Sequence, residues 1–267
     1  MAEYKFAFES FGVRVCVESN EATPVELVRA TANYALLGRF SDIDPLLADH
    51  RLHINYTGDT YSSGLDGEDF GDNPDLASLL KYVGSRIRIL VAEYARDIVF
   101  VHAGVVTWNG KAIVIPGTSH SGKTTLVAEL VKLGAVYFSD EYALFDADGM
   151  VHPFPRPLAV RDRSDPSMRE DIDVGELGGI AGSEPARAEL IYFGKYRTDA
   201  EWRPDHISPG VGIIELVTHT IPMRVNSEFA LAALSNAVKD AKMVKTDRCQ
   251  AELAAEKLLQ IIDNRHN

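Results

Sequence analysis

Residues 4 to 18 alternate apolar and polar positions, with Tyr4, Phe6 and Phe8 followed by Val13, Val15 and Val17 across Gly12. A period of two marks half-buried strands, and a glycine between two such runs predicts a hairpin. Thr23-Pro24-Val25-Glu26 then offers an N-cap threonine, a proline at the first helical position and a glutamate three residues on. That capping box ahead of Leu27, Val28 and Ala30 predicts a helix. Leu52-His53-Ile54-Asn55-Tyr56 alternates again as a strand. The stretch 57–73 is rich in Gly, Ser and Asp without a period, which predicts a solvated acidic loop. Pro74 opens a helical series through Leu76, Leu79, Leu80, Val83, Ile87, Leu90, Val91 and Tyr94, despite Gly84.

From Ile98 the pattern changes to short apolar runs at 98–101, 104–107, 112–115, 136–138 and 142–145. Asn109-Gly110 predicts a tight hairpin between two of them, and Asp146-Ala147-Asp148-Gly149 a turn after another. A helix over 123–133, ended by Gly134, separates strands that a crossover would make neighbours. Segments 229–238 and 252–262 carry apolar residues at helical spacing, and 178–183 reads as a mobile loop. The fold class is therefore α/β with a mixed sheet over 98–267, preceded by a small α+β region over 1–97.

Lys and Arg number 27 against 39 Asp and Glu, a net charge of -12, with no dense basic run. Nucleic acid and anionic membrane are thereby disfavoured as partners. The start, Met1-Ala2-Glu3-Tyr4-Lys5-Phe6, has no basic segment followed by an apolar stretch, so a cytoplasmic location is expected. Cys16 and Cys249 are far apart without metal-like spacing, which fits packed or surface thiols in a reducing compartment.

The chemistry concentrates at Gly117-Thr118-Ser119-His120-Ser121-Gly122-Lys123-Thr124, which satisfies G-x-x-x-x-G-K-S/T between an apolar strand and a periodic helix. Glycines let backbone N–H groups turn around phosphate oxygens, and the helix N-terminus adds partial positive charge. Lys123 is expected on the β- and γ-phosphates of ATP and Thr124 on Mg²⁺, with Ser121 and Thr125 as further donors. His120 reads as a variable position of the loop. Ser139-Asp140-Glu141 ends the next strand, where adjacent carboxylates can hold metal or accept a proton. His102 lies on the strand leading to the hairpin, in a setting where a core histidine is the ordinary alternative.

His102-Ala103-Gly104-Val105, the 117–125 loop and Ser139-Asp140-Glu141 together resemble the catalytic domain of HPr kinase/phosphorylase and its kinase-like relatives. The resemblance covers about 98–145. It implies a PEP-carboxykinase-like P-loop fold and an ATP- and Mg²⁺-dependent kinase. It also implies that Lys123 and Thr124 hold phosphate and Mg²⁺, that the second acid deprotonates the acceptor hydroxyl, and that His102 assists at the phosphate. The acceptor class is a Ser or Thr of a peptide or protein, or a small metabolite. The second acid here is Glu141, where the bifunctional enzymes have Asp, so Asp140 and Glu141 both remain candidates for base and for metal ligand. The family's glycine loop is echoed by Glu176-Leu177-Gly178-Gly179-Ile180 and its distal arginine by Arg224, and Arg156, Arg161 and Arg187 are candidate phosphate or substrate contacts, with a surface charge the ordinary reading of each. The 1–97 region does not resemble the N-terminal domain of the bifunctional enzyme, so HPr itself as acceptor and the dephosphorylation reaction are not implied. An ATP-sensing module and a hydrolase or carboxykinase-like enzyme are the alternatives, and homo-oligomerisation is left open. The space between 178–183 and the acids is where an acceptor is expected.

Overall fold

In the computed structural model, which describes residues 4–73, 75–161 and 169–264 (side chains of 161 and 169 excepted), Phe11 and Gly12 have φ of +49° and +77°. Left-handed values at both central residues make the two-residue turn whose twist matches its strands, and it joins β1 (Tyr4–Ser10) to β2 (Val13–Ser19). Helix α1 (Ala22–Ala35) follows, then β3 (Ser41–Asp42), β4 (His50–Thr57), β5 (Thr60–Leu65), β6 (Glu68–Asn73) and α2 (Leu76–Tyr94). The sheet order is β3-β1-β2-β4-β5-β6, with β2 and β4 parallel across the α1 crossover. These elements make the first of two compact units, Met1–Asp97 and Ile98–Asn267.

Two expectations for the first unit fail. The capping box does not form: α1 starts one residue before Thr23, with Glu21 at the N-cap and no side-chain cap bond. Pro24 still fits, because N–H groups of a helix's first turn have no partner within the helix. The 57–73 segment is not a loop but β5 and β6. Asp66-Gly67 takes φ of +53° and +87°, a hairpin turn that sets the two strands in register, and the polar β6 occupies the sheet edge. Pro74 lies outside the described residues, and α2 is instead capped by Asp75, whose carboxylate accepts from the Ser78 N–H at 2.8 Å.

The second unit is built on β7 (Val99–Trp108), whose ten residues serve two neighbours on one side and one on the other. The Asn109-Gly110 turn leads to its antiparallel partner β8 (Lys111–Pro116), after which the 117–122 loop enters α3 (Lys123–Lys132). On the far side of β7 lie β9 (Val136–Ser139) and β10 (Tyr142–Phe145), both antiparallel to it and in line with each other. The α3 crossover therefore does not make β8 and β9 neighbours, as expected, but passes over β7. The chain continues through β11 (Met150–His152) and the separate pair β12 (Leu158–Arg161) and β13 (Arg169–Ile172). It then enters β14 (Ala186–Phe193), β15 (Asp205–His206), α4 (Pro209–Val217), α5 (Ser227–Val238), β16 (Lys242–Lys245) and α6 (Ala251–Asp263). Strands β14 and β16 extend the sheet beyond β8, parallel to it.

Side-chain alternation divides the core into two faces. Val101, Val105, Val114, Ile191 and Phe193 pack with Leu216 of α4 and Leu234 of α5. Ile113, Ile115, Leu190 and Tyr192 pack with Leu126 and Leu130 of α3 and Leu258 of α6. A bulge between Ala188 and Leu190 changes the parity of β14, so that Ala188 and then Ile191 face the same layer. Each buried Val, Leu or Ile is worth about 1.5–3 kcal/mol, and the two layers hold the sheet edge that carries the polar residues. Gly104 on β7 has a packing reason: a Cβ there would meet Val127 of α3 at 2.6 Å. Among the described residues no helix is long and apolar enough to cross a membrane.

Candidate functional site

The 117–122 loop turns on three positions. His120 and Gly122 adopt φ of +67° and +83°, and Gly117 has no room for a side chain, since a Cβ would lie 2.6 Å from Ser121 Oγ. The Gly117 N–H donates to the His102 carbonyl at 3.1 Å, which ties the loop to β7. Inside the loop the Ser121 hydroxyl is buried without a hydrogen-bond partner among the described residues. Lys123, 7% exposed, donates from Nζ to the Gly117 and Thr118 carbonyls at 2.7 and 2.9 Å. Helix α3 has Gly122 at its N-cap and no side-chain cap, so its first-turn N–H groups face the loop. Thr118, Ser119, His120 and Thr125 are exposed around the rim.

The carboxylates stand where β9 breaks into β10. Ser139 makes the break: its Oγ accepts from the Glu141 and Tyr142 N–H groups at 3.1 and 3.0 Å. Asp140 then points to α3, where its Oδ2 accepts from Thr124 Oγ1 at 2.9 Å and from the Ala159 N–H at 3.3 Å. The buried Tyr137 hydroxyl lies 3.2 Å from Asp140 Oδ1 and 2.7 Å from the Arg156 carbonyl. Glu141, more open, accepts from Arg156 Nη1 at 2.9 Å. Arg156 is thus part of the cluster rather than a surface charge.

Burial decides the charge states. It pushes Lys123 down to about 8, against the pull of Asp140 and Glu141. It pushes His102 down to about 4, with the Lys123 charge working the same way and Glu141 opposing. Burial raises the Asp140 carboxyl, while the bonds from Thr124 and Ala159 favour the ion. His102 itself sits opposite Tyr142 in the β7–β10 register, with ring centroids 6.1 Å apart.

The other candidates scatter. Arg187 is exposed on β14 beside Ala188, which pairs with Ala112 at the start of β8, so it lies at the sheet edge opposite the loop. Glu176 closes a capping box in the 3-10 turn Val174–Leu177, where its carboxylate accepts from the Asp173 N–H at 3.1 Å. Arg224 is exposed at the end of the 3-10 turn Ile221–Arg224. The Arg161 side chain lies outside the described residues. Segment 178–183 is not a free loop: Ile180 O and the Gly182 N–H bond both sides of Tyr137 at 2.8 Å. Beside it is a cleft of ≈ 360 Å³ lined by Tyr137, Arg156, Pro157, Val174, Gly179 and Ile180. Asp140 and Glu141 are not among its walls.

Three residues at the loop carry no sequence signal. The His219 carbonyl accepts from the His102 N–H at 2.8 Å, and burial, with the Lys123 charge adding to it, lowers the His219 pKa. Arg248, 4% exposed, donates from Nη2 to the Gly122 carbonyl at 2.5 Å. Tyr196 donates its N–H to the Ser121 carbonyl at 3.1 Å. All three are far from the motif along the chain. Among the described residues no group of three or more His, Cys, Asp or Glu is arranged to hold a metal ion.

No family model matches the chain, and no curated protein matches it in sequence. Among solved structures it is similar to one described as the Hpr(Ser) kinase/phosphatase from Coxiella burnetii. The TM-score is 0.31 and the identity 13%, over 61% of this chain and 94% of that one. A likeness that slight assigns no chemistry.

Proposed function

We propose that the second unit is an ATP- and Mg²⁺-dependent phosphotransferase that moves the γ-phosphate to a hydroxyl of a peptide, a protein or a small metabolite. The observation that carries the reading is the Thr124–Asp140 bond of 2.9 Å, which joins the lysine-bearing loop to the carboxylates across β7. The loop fits a triphosphate. The Ser121 hydroxyl, without a partner among the described residues, the buried Lys123 ammonium and the uncapped start of α3 are all donors for an anion. Mg²⁺ takes few protein ligands and completes its shell with phosphate and water, which suits Thr124 with Asp140. When bound, the ion would neutralise charge on the phosphate oxygens.

With Asp140 directed at Thr124, Glu141 is the base of this reading. The acceptor oxygen attacks the γ-phosphorus as its proton passes to the Glu141 carboxylate, the bond to the β-phosphate oxygen breaks, and ADP leaves beside Lys123. Arg156 Nη1 keeps Glu141 oriented. His102, neutral at physiological pH with its pKa near 4, serves as a hydrogen-bonding group rather than a cation.

The same ion pair favours one alternative, a nucleotide-sensing module in which Arg156 holds Glu141 occupied. ADP release across a panel of hydroxyl acceptors separates the two. Acceptor-dependent turnover should fall by about 10²–10⁴ in Glu141→Gln with ATP binding retained, while Lys123→Ala loses binding. Tight ATP binding with no acceptor-dependent turnover in the unmodified protein would refute the kinase.

A further inference from the structure

Strands β14 and β16 run parallel to β8, so their carboxyl ends reach the sheet edge that carries the 117–122 loop. They lie on the side of β8 away from β7, and so away from Asp140 and Glu141 between β9 and β10. In open α/β sheets ligands bind outside the carboxyl ends of the strands. A triphosphate with its phosphates in the loop and its γ-end toward Asp140 and Glu141 therefore extends its other end over the segments that follow β14 and β16.

Those segments, 194–197 and 246–249, are fastened to each other and to the loop. Arg248 N–H donates to the Lys195 carbonyl at 3.0 Å and Arg197 N–H to the Arg248 carbonyl at 2.9 Å. The Lys195 N–H donates to Asp247 Oδ1 at 3.1 Å. Below them Tyr192 donates its hydroxyl to the Thr246 carbonyl at 2.8 Å and stacks on Trp202. A Cβ on Gly122 would meet Arg248 Nη2 at 2.6 Å and Tyr196 Cβ at 3.3 Å, so the Arg248 guanidinium ends, and the Tyr196 side chain starts, directly against the phosphate loop. Arg248 is buried there, its Nε without a hydrogen-bond partner among the described residues. Tyr196 does the opposite, leaving 52% of its surface exposed although its backbone is bonded into the loop.

We infer that 194–197 and 246–249 form a nucleoside subsite, in which the exposed Tyr196 ring stacks on the nucleobase and Arg248 adds positive charge on the side of the α-phosphate. The inference rests on the loop binding a triphosphate, as proposed above. Asp247 is already engaged by the Lys195 N–H and by Arg197 Nη1 at 3.3 Å. The subsite thus reads the face of the base rather than its edge, and takes ATP and GTP alike.

Calorimetric titration with Mg²⁺ and either ATP, GTP or inorganic tripolyphosphate tests this on the full chain. Tyr196→Ala should weaken ATP and GTP at least about 5-fold, the lower end of base–aromatic stacking, and leave tripolyphosphate within about 2-fold. Tyr196→Phe should keep the unmodified affinities, because it keeps the ring. The inference is overturned if Tyr196→Ala binds ATP like the unmodified protein, or weakens tripolyphosphate as much as ATP. The unmodified protein binding ATP without transferring phosphate sinks the kinase and spares the subsite. Binding of neither ATP nor tripolyphosphate sinks both.

Discussion

Nucleotide binding should take up a proton at mildly alkaline pH, and the amount follows from Lys123. Burial holds its ammonium at about 8, well below the ordinary 10.5. A triphosphate against Nζ supplies the counter-charge that burial removes, and returns the group to full protonation. The uptake is then the fraction of Lys123 that is neutral beforehand, about 0.1 proton per site at pH 7, 0.5 at pH 8 and 0.9 at pH 9. By linkage the dissociation constant rises about 10-fold between pH 7 and pH 9. His102 contributes nothing in this range, being neutral well above about 4. Calorimetry at pH 8 in two buffers of different ionisation enthalpy, with excess Mg²⁺ to keep ATP deprotonated, reads the uptake directly. Intact binding with no buffer dependence at pH 8 would refute either the burial of Lys123 as a charge or its place on the phosphates.

Acid should destabilise the second unit through His102. The unfolded chain keeps the ordinary 6.5 while burial holds the folded group at about 4, so between those values the unfolded state binds the extra proton and stability falls as pH falls. Urea midpoints at pH 7 and pH 5 should diverge, less so in His102→Gln; an identical drop in the variant would contradict the argument. Gly182→Ala should cost about 1–3 kcal/mol in urea unfolding, since its Cβ would meet Phe138 Cε1 at 2.2 Å. A silent substitution there would show that 178–183 is free to move after all.

Much of the local structure was legible from pattern. Alternation located β1, β2 and β4, helical spacing located α2 and α6, and Asn109-Gly110 marked its turn. The failures have physical causes. Segment 57–73 pairs through its backbone, so polar side chains at a sheet edge hid β5 and β6, although Asp66-Gly67 carried the hairpin signal. Strand β14, in the middle of the larger sheet, was missed because a bulge interrupts its alternation. The capping box at Thr23 failed because the chain turned into α1 earlier than the motif required.

At the candidate site the sequence by itself determined the local pieces. Gly117, Gly122, Lys123 and Thr124 had to be a turn entering a helix, and Asp140-Glu141 had to follow a strand, because backbone sterics and hydrophobic period act over a few residues. Only the tertiary structure decided what meets across the sheet. It brought Thr124 to Asp140, gave Glu141 to Arg156, left Glu176 and Arg187 elsewhere, and set Tyr196 and Arg248 over Gly122. Those meetings depend on β7 standing between β8 and β9, and on β14 and β16 lying beyond β8. Strand order comes from burying two apolar faces of one sheet at once, and no short window of residues contains it.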